Sequence, residues 1–131
     1  MARKWLESPG WLKEAGDLQQ ARDLFRRAVD AGLPDQPLFR VLWDLAAIER
    51  RLGDEGSAIR IWTDLAGSPN PFRVRALEEL AKHHEHRLKD RGRALEFTRA
   101  ARALADSPAL ERREARLAKR AAKRRRASPM R

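Results

Sequence analysis

The chain contains no cysteine, which removes disulfides, thiolate metal sites and thiol nucleophiles from consideration. It also has no apolar run near the ~20 residues that a membrane-spanning helix needs, and its start, Met1-Ala2-Arg3-Lys4-Trp5, lacks the apolar core of a secretory signal. A cytoplasmic protein is therefore expected. No segment alternates polar and apolar residues as a half-buried strand does. Ser8, Ser57, Ser68, Ser107 and Ser128 fall in expected turns or the tail, and none has a histidine at a recognisable motif spacing. Without a strand-to-helix elbow to present a strained nucleophile, no enzymatic activity and no cofactor are expected.

What the chain does contain is a segment written three times: Gly16-Asp17-Leu18-Gln19-Gln20-Ala21, Gly53-Asp54-Glu55-Gly56-Ser57-Ala58 and Lys89-Asp90-Arg91-Gly92-Arg93-Ala94. The alanines at 21, 58 and 94 set periods of 37 and 36 residues, the spacing of stacked helical hairpins. Length agrees, since 131 residues with 42% hydrophobic content suffice for one modest continuous core. Punctuation by Gly, Pro and Asp predicts helices over 17–31, 36–52, 54–66, 71–88, 91–105 and 108–126. Gly16, Gly53 and Lys89-Asp90 are expected to separate hairpin arms. Asn70 and Ser107, each followed by Pro, are expected to be N-caps.

Apolar residues at helical spacing mark the expected core: Leu18, Ala21, Leu24, Phe25, Ala28 and Val29, then Leu38, Val41, Leu42, Leu45 and Ile48, then Ala58, Trp62 and Leu65. Phe25 and Trp62 each follow the anchoring alanine by four residues. Position 98 is Thr, so the third hairpin must pack differently or use Phe97. The expected fold is all-α: antiparallel hairpins at about 5–31, 36–66 and 71–105 stacked as a short right-handed solenoid over 1–106, then a basic helix over 107–126 and a disordered tail at 127–131. Trp5 and Leu12 belong to an abbreviated first arm that Ser8-Pro9-Gly10 interrupts.

The Gly, Asp, Ala and aromatic positions resemble the tetratricopeptide repeat, most closely in the second arm of hairpin one, where Ala28 follows Phe25. Hairpin two departs with Leu65 where that repeat favours Ala, and hairpin three has one extra residue between Ala81 and Ala94. A second resemblance runs from Leu42-Trp43-Asp44-Leu45 through Arg51-Leu52-Gly53 and Ala58-Ile59-Arg60-Ile61-Trp62. It continues through Leu80-Ala81-Lys82-His83-His84-Glu85-His86 and Arg93-Ala94-Leu95-Glu96, and closes with Leu110-Glu111-Arg112-Arg113 and Leu117-Ala118-Lys119-Arg120. It is similar to the C-terminal helical region of bacterial YprB-type proteins of the ribonuclease-H-like exonuclease family, with His83 and His84 where that family carries two tyrosines. The resemblance spans roughly 11–126. It implies an accessory module without its enzyme, because the carboxylates that hold metal ions in such nucleases map onto nothing here.

Two surfaces are expected to bind. By the repeat register the hairpin groove is lined by Arg40, Trp43, Ala47, Arg50 and Arg51, and then by Arg75, Glu78, Lys82, Glu85 and His86. Trp43 among arginines is the hot-spot chemistry of a protein-partner site. No asparagine lies among these positions, so a carboxylate clamp is not expected. The second surface is the tail. Between Glu111 and Arg131 ten Lys or Arg face two Glu, whereas the first 110 residues hold nineteen basic and seventeen acidic groups. Arg112, Arg113, Arg116, Lys119, Arg120, Lys123, Arg124, Arg125 and Arg126 are the expected contacts to a DNA or RNA backbone, and without an aromatic to stack on bases they carry no sequence specificity. His83 with His86 has ligand spacing but lacks a third ligand, so packing is expected there instead of a metal. The sequence thus reads as a non-catalytic scaffold that binds a protein partner, plausible as an accessory of a ribonuclease-H-like system. Nucleic-acid binding through the tail is the alternative, and a fragment of a larger exonuclease is the third reading.

Overall fold

The computed structural model describes residues 11–127 and the side chains of 16–123. Over these residues the protein is all-α. Six helices follow one another: α1 Trp11–Ala31, α2 Asp35–Arg51, α3 Glu55–Ala66, α4 Arg73–His86, α5 Arg91–Leu104 and α6 Pro108–Ala127. Among the described residues there is no strand. Trp5 and the Ser8-Pro9-Gly10 interruption lie outside the described residues, as do 128–131 of the expected tail, whereas Leu12 lies within α1 and Ala127 closes α6.

The repeat is realised twice as the same local structure. Gly53 has φ 88°, and thirty-six residues later Lys89 has φ 56°, so both turns use the left-handed conformation that glycine adopts at least cost. Each is followed by an aspartate that caps the next helix. Asp54 accepts from the Ser57 amide at 3.1 Å and from its hydroxyl at 2.8 Å, and Asp90 accepts from the Arg93 amide at 3.0 Å. The alanines that follow, Ala58 and Ala94, are buried. The first copy behaves otherwise. Gly16 and Asp17 lie inside α1, whose backbone runs helically through them, so no turn divides hairpin arms at Gly16. The glycine costs about 1 kcal/mol there against alanine, too little to break a long helix.

Asn70 corrects a second expectation. Helix α4 starts at Arg73, and the Asn70 side chain serves the preceding helix: its amide donates to the carbonyls of Leu65 and Ser68, both at 2.8 Å, while its oxygen accepts from the Phe72 amide at 2.9 Å. It therefore closes α3 and shapes the turn instead of capping a helix at 71. Ser107 does cap α6, accepting from the Leu110 amide at 3.3 Å.

The chain divides into two compact units between Ile61 and Trp62. In the first, α1 packs on α2, and Leu18, Leu45, Ala46 and Ala58 are buried. Leu24, expected in the core, is 55% exposed, because it stands on the flank of α1 away from the arginines that reach α2. In the second, α5 packs against both α4 and α6. Leu77, Ala101 and Leu110 form one core cluster, with Ala66, Val74 and Phe97 against it, and Ala94, Leu95 and Leu117 form another. Thr98 is fully buried and returns its hydroxyl to the Ala94 carbonyl at 2.8 Å, so Phe97 supplies the aromatic volume of this hairpin.

Candidate nucleic-acid interface

Leu110 and Leu117 anchor α6 in the core, and the rest of its register follows from them. Glu111 and Glu114 turn toward α5, where Arg102 bonds both and Arg99 lies 3.3 Å from Glu114. Arg113 and Arg116 turn toward α4 and converge on Glu85. Arg113 donates to Glu85 Oε1 at 2.8 Å, and Arg116 donates to Oε1 at 2.8 Å and Oε2 at 2.7 Å. Arg120 stands 3.9 Å from the same carboxylate.

Glu85 is therefore not a groove residue, since it is only 5% exposed. Burial pushes its carboxyl up, but the Arg116 hydrogen bond and the charges of Arg116, His86 and Arg113 together hold it below the ordinary glutamate value. The first unit holds a counterpart thirty-six residues earlier. Glu49 is 1% exposed, accepts a hydrogen bond from Arg26, and has Arg22 at 3.7 Å from its other oxygen. The sequence puts Glu85 in the groove and gives Glu49 no role, so the burial of neither carboxylate is expected from it. Their shared repeat spacing was the available signal.

Of the nine cations expected to meet phosphate, three thus lie at Glu85. Arg112, Lys119 and Lys123 are exposed, and among the described residues none has a carboxylate within ion-pair distance. With Arg116 they fall within about 60° of one another around α6, on the side opposite Leu110 and Leu117. The side chains of Arg124, Arg125 and Arg126 lie outside the described residues.

The expected groove residues are distributed over both units. In the first, Arg40 pairs with Asp44 at 3.1 Å on the surface of α2, Trp43 is half-buried, and Arg50 and Arg51 are exposed. In the second, Arg75 is exposed and Lys82 pairs with Glu79 at 3.3 Å. His83 meets His84 edge-on at 5.8 Å, and His84 stacks on Phe97 at 5.1 Å. Burial lowers the pKa of His84, as do the charges of His83 and Arg93, against a raising effect from Asp90. Its neutral ring completes a packing contact. Among the described residues no group of three or more His, Asp or Glu is arranged to hold a metal ion. No family model, curated protein or solved structure matches the chain.

Proposed function

We propose that the protein is a non-catalytic helical-repeat module that holds a nucleic-acid backbone on the outward face of α6. The observation that carries this reading is the sorting of charge on that helix: its two glutamates and two of its arginines face neighbouring helices, which leaves Arg112, Lys119 and Lys123 outward and uncompensated. Lysine and arginine so placed exchange condensed counterions for phosphate contacts, giving affinity without base readout. The twice-repeated turn, cap and buried alanine support a tetratricopeptide-like stack as the scaffold, and the YprB-type resemblance makes a nucleic-acid-processing system its natural setting by analogy. A protein partner on α2 is the second reading, favoured by half-buried Trp43 beside exposed Arg50 and Arg51.

Removing α6 would be a poor test, because it also removes Leu110 and Leu117 from the core. The informative variant is Arg112→Gln/Lys119→Gln/Lys123→Gln in the full chain, with anisotropy of labelled DNA and RNA recorded from low to physiological salt. The unaltered chain should bind, and the variant should bind more weakly with a salt slope flatter by about three. Equal affinity and slope for the two proteins would refute the reading.

A further inference from the structure

We infer that the nucleic-acid site extends from α6 onto α4, and that the two helices present one two-row cationic face fitted to the paired phosphate lines of a duplex. This rests on the reading of α6 given above and adds to it the ligand class and a second set of contacts.

The geometry follows from Glu85. Helix α5 packs under both neighbours, as the joint cluster of Leu77, Ala101 and Leu110 shows, and short connections make it antiparallel to each. Helices α4 and α6 therefore run parallel, joined where Glu85 meets Arg113 and Arg116. On α4, Arg75, Lys82 and His86 share one line about a quarter-turn from Glu85. On α6, Arg112, Lys119 and Lys123 share one line about a quarter-turn from Arg113 in the opposite sense. Both lines consequently look away from α5 in the same direction. The match is positional too: Arg75 and Arg112, and Lys82 and Lys119, are each thirty-seven residues apart.

Two parallel rows thus stand on either side of the contact between Glu85 and Arg113 and Arg116. The α6 row extends about 16 Å from Arg112 to Lys123. The acids on this face are Glu79, already paired with Lys82, and Glu78 at the edge toward α6. Lys82 is offset by Glu79, and the excess positive charge of the face is carried by Arg75 together with Arg112, Lys119 and Lys123. No Phe, Tyr or Trp among the described residues stands in either row, and His86 at the end of the α4 row is a single imidazole, so there is no run of rings on which successive unpaired bases would stack. Two lines of point charges without such a platform suit the backbone of a double strand over a single strand.

The test uses the full chain and a labelled duplex of about twenty base pairs. Three double variants of equal charge change are compared: Arg75→Gln/Lys82→Gln on α4, Arg112→Gln/Lys119→Gln on α6, and Arg27→Gln/Arg60→Gln on exposed positions of the first unit. Far-ultraviolet dichroism and melting confirm that each remains folded. The α4 and α6 pairs should each weaken duplex binding by about tenfold at physiological salt and flatten the salt slope by about two, with the first-unit pair near the unaltered protein. If the α4 pair behaves like the first-unit pair while the α6 pair loses affinity, the extension is wrong and the α6 reading stands. If the unaltered chain does not bind, or all three pairs behave alike, both fail. Tighter binding of a single strand or an acidic peptide than of the duplex overturns the ligand assignment.

Discussion

Replacing Glu85 by glutamine keeps its volume and removes its charge, and the structure sets the size of the effect. The carboxylate accepts three hydrogen bonds from Arg113 and Arg116. The amide retains one oxygen, and its nitrogen must face an arginine donor. A hydrogen bond to a charged partner contributes about 1.5–3 kcal/mol and a neutral one about 1 kcal/mol, so the gross loss is about 3 kcal/mol. Arg116 is 43% exposed and can recover water, which brings the expected cost to about 2 kcal/mol. Glu49 makes an instructive contrast, since it is more deeply buried but accepts a single hydrogen bond, from Arg26. Glu49→Gln should cost about 1 kcal/mol. Urea denaturation followed by helical dichroism measures both, and amide hydrogen exchange assigns each loss to its unit. A Glu49→Gln cost equal to or above that of Glu85→Gln would show that burial, not the number of bonds, decides. The effect of pH has a definite sign. The folded state lowers the Glu85 pKa, so its contribution is complete above the unfolded value near 4.5 and disappears as pH falls through the folded one. The gap between wild type and Glu85→Gln must therefore narrow on acidification, and a constant gap would refute an ionic origin.

Two further predictions concern the repeat. Gly53→Ala meets no atom within 4 Å of the added Cβ, so its cost is backbone strain alone, about 1 kcal/mol, whereas Lys89→Gly should stabilise by a similar amount; thermal melts of both variants check the pair. Thr98→Phe restores the aromatic four residues after the anchoring alanine, but Thr98 is fully buried and Phe97 already supplies the aromatic volume, so a loss of at least ~1–3 kcal/mol is expected in the urea midpoint. A neutral or stabilising Thr98→Phe would mean that the third hairpin tolerates the packing of the other two.

The helices were legible because Gly, Pro and Asp punctuate them where the backbone needs a turn or a cap, as at Gly53-Asp54 and Ser107-Pro108. The same rule misread Gly16-Asp17. The motif there shares Gly, Asp and Ala with the copy at 53–58, but one glycine is too weak a breaker to end α1. Asn70 was rightly singled out and given the wrong partner, since a side chain can cap the helix behind it as readily as the one ahead. At the interface, composition revealed that α6 is basic, and helical register alone places Arg112, Lys119 and Lys123 on one line. It does not reveal that Arg113 and Arg116 are engaged at Glu85, twenty-eight and thirty-one residues away along the chain. Distant carboxylates decide which cations of a basic helix remain for a ligand, and that decision belongs to packing.

The arginines of α6 sit at two depths, and ionic strength will act on them in order. At ~1 M salt the Debye length is ~3 Å, so attraction between the outward row and a polyanion is quenched, whereas a partly buried pair is screened far less. Arg113 keeps its bond to Glu85 at 19% side-chain exposure, with Leu110 and Leu117 seated beneath. A concentrated-salt wash during purification would therefore strip adhering nucleic acid while α6 stays docked, and dilution would return a cleaned protein with its outward charges intact.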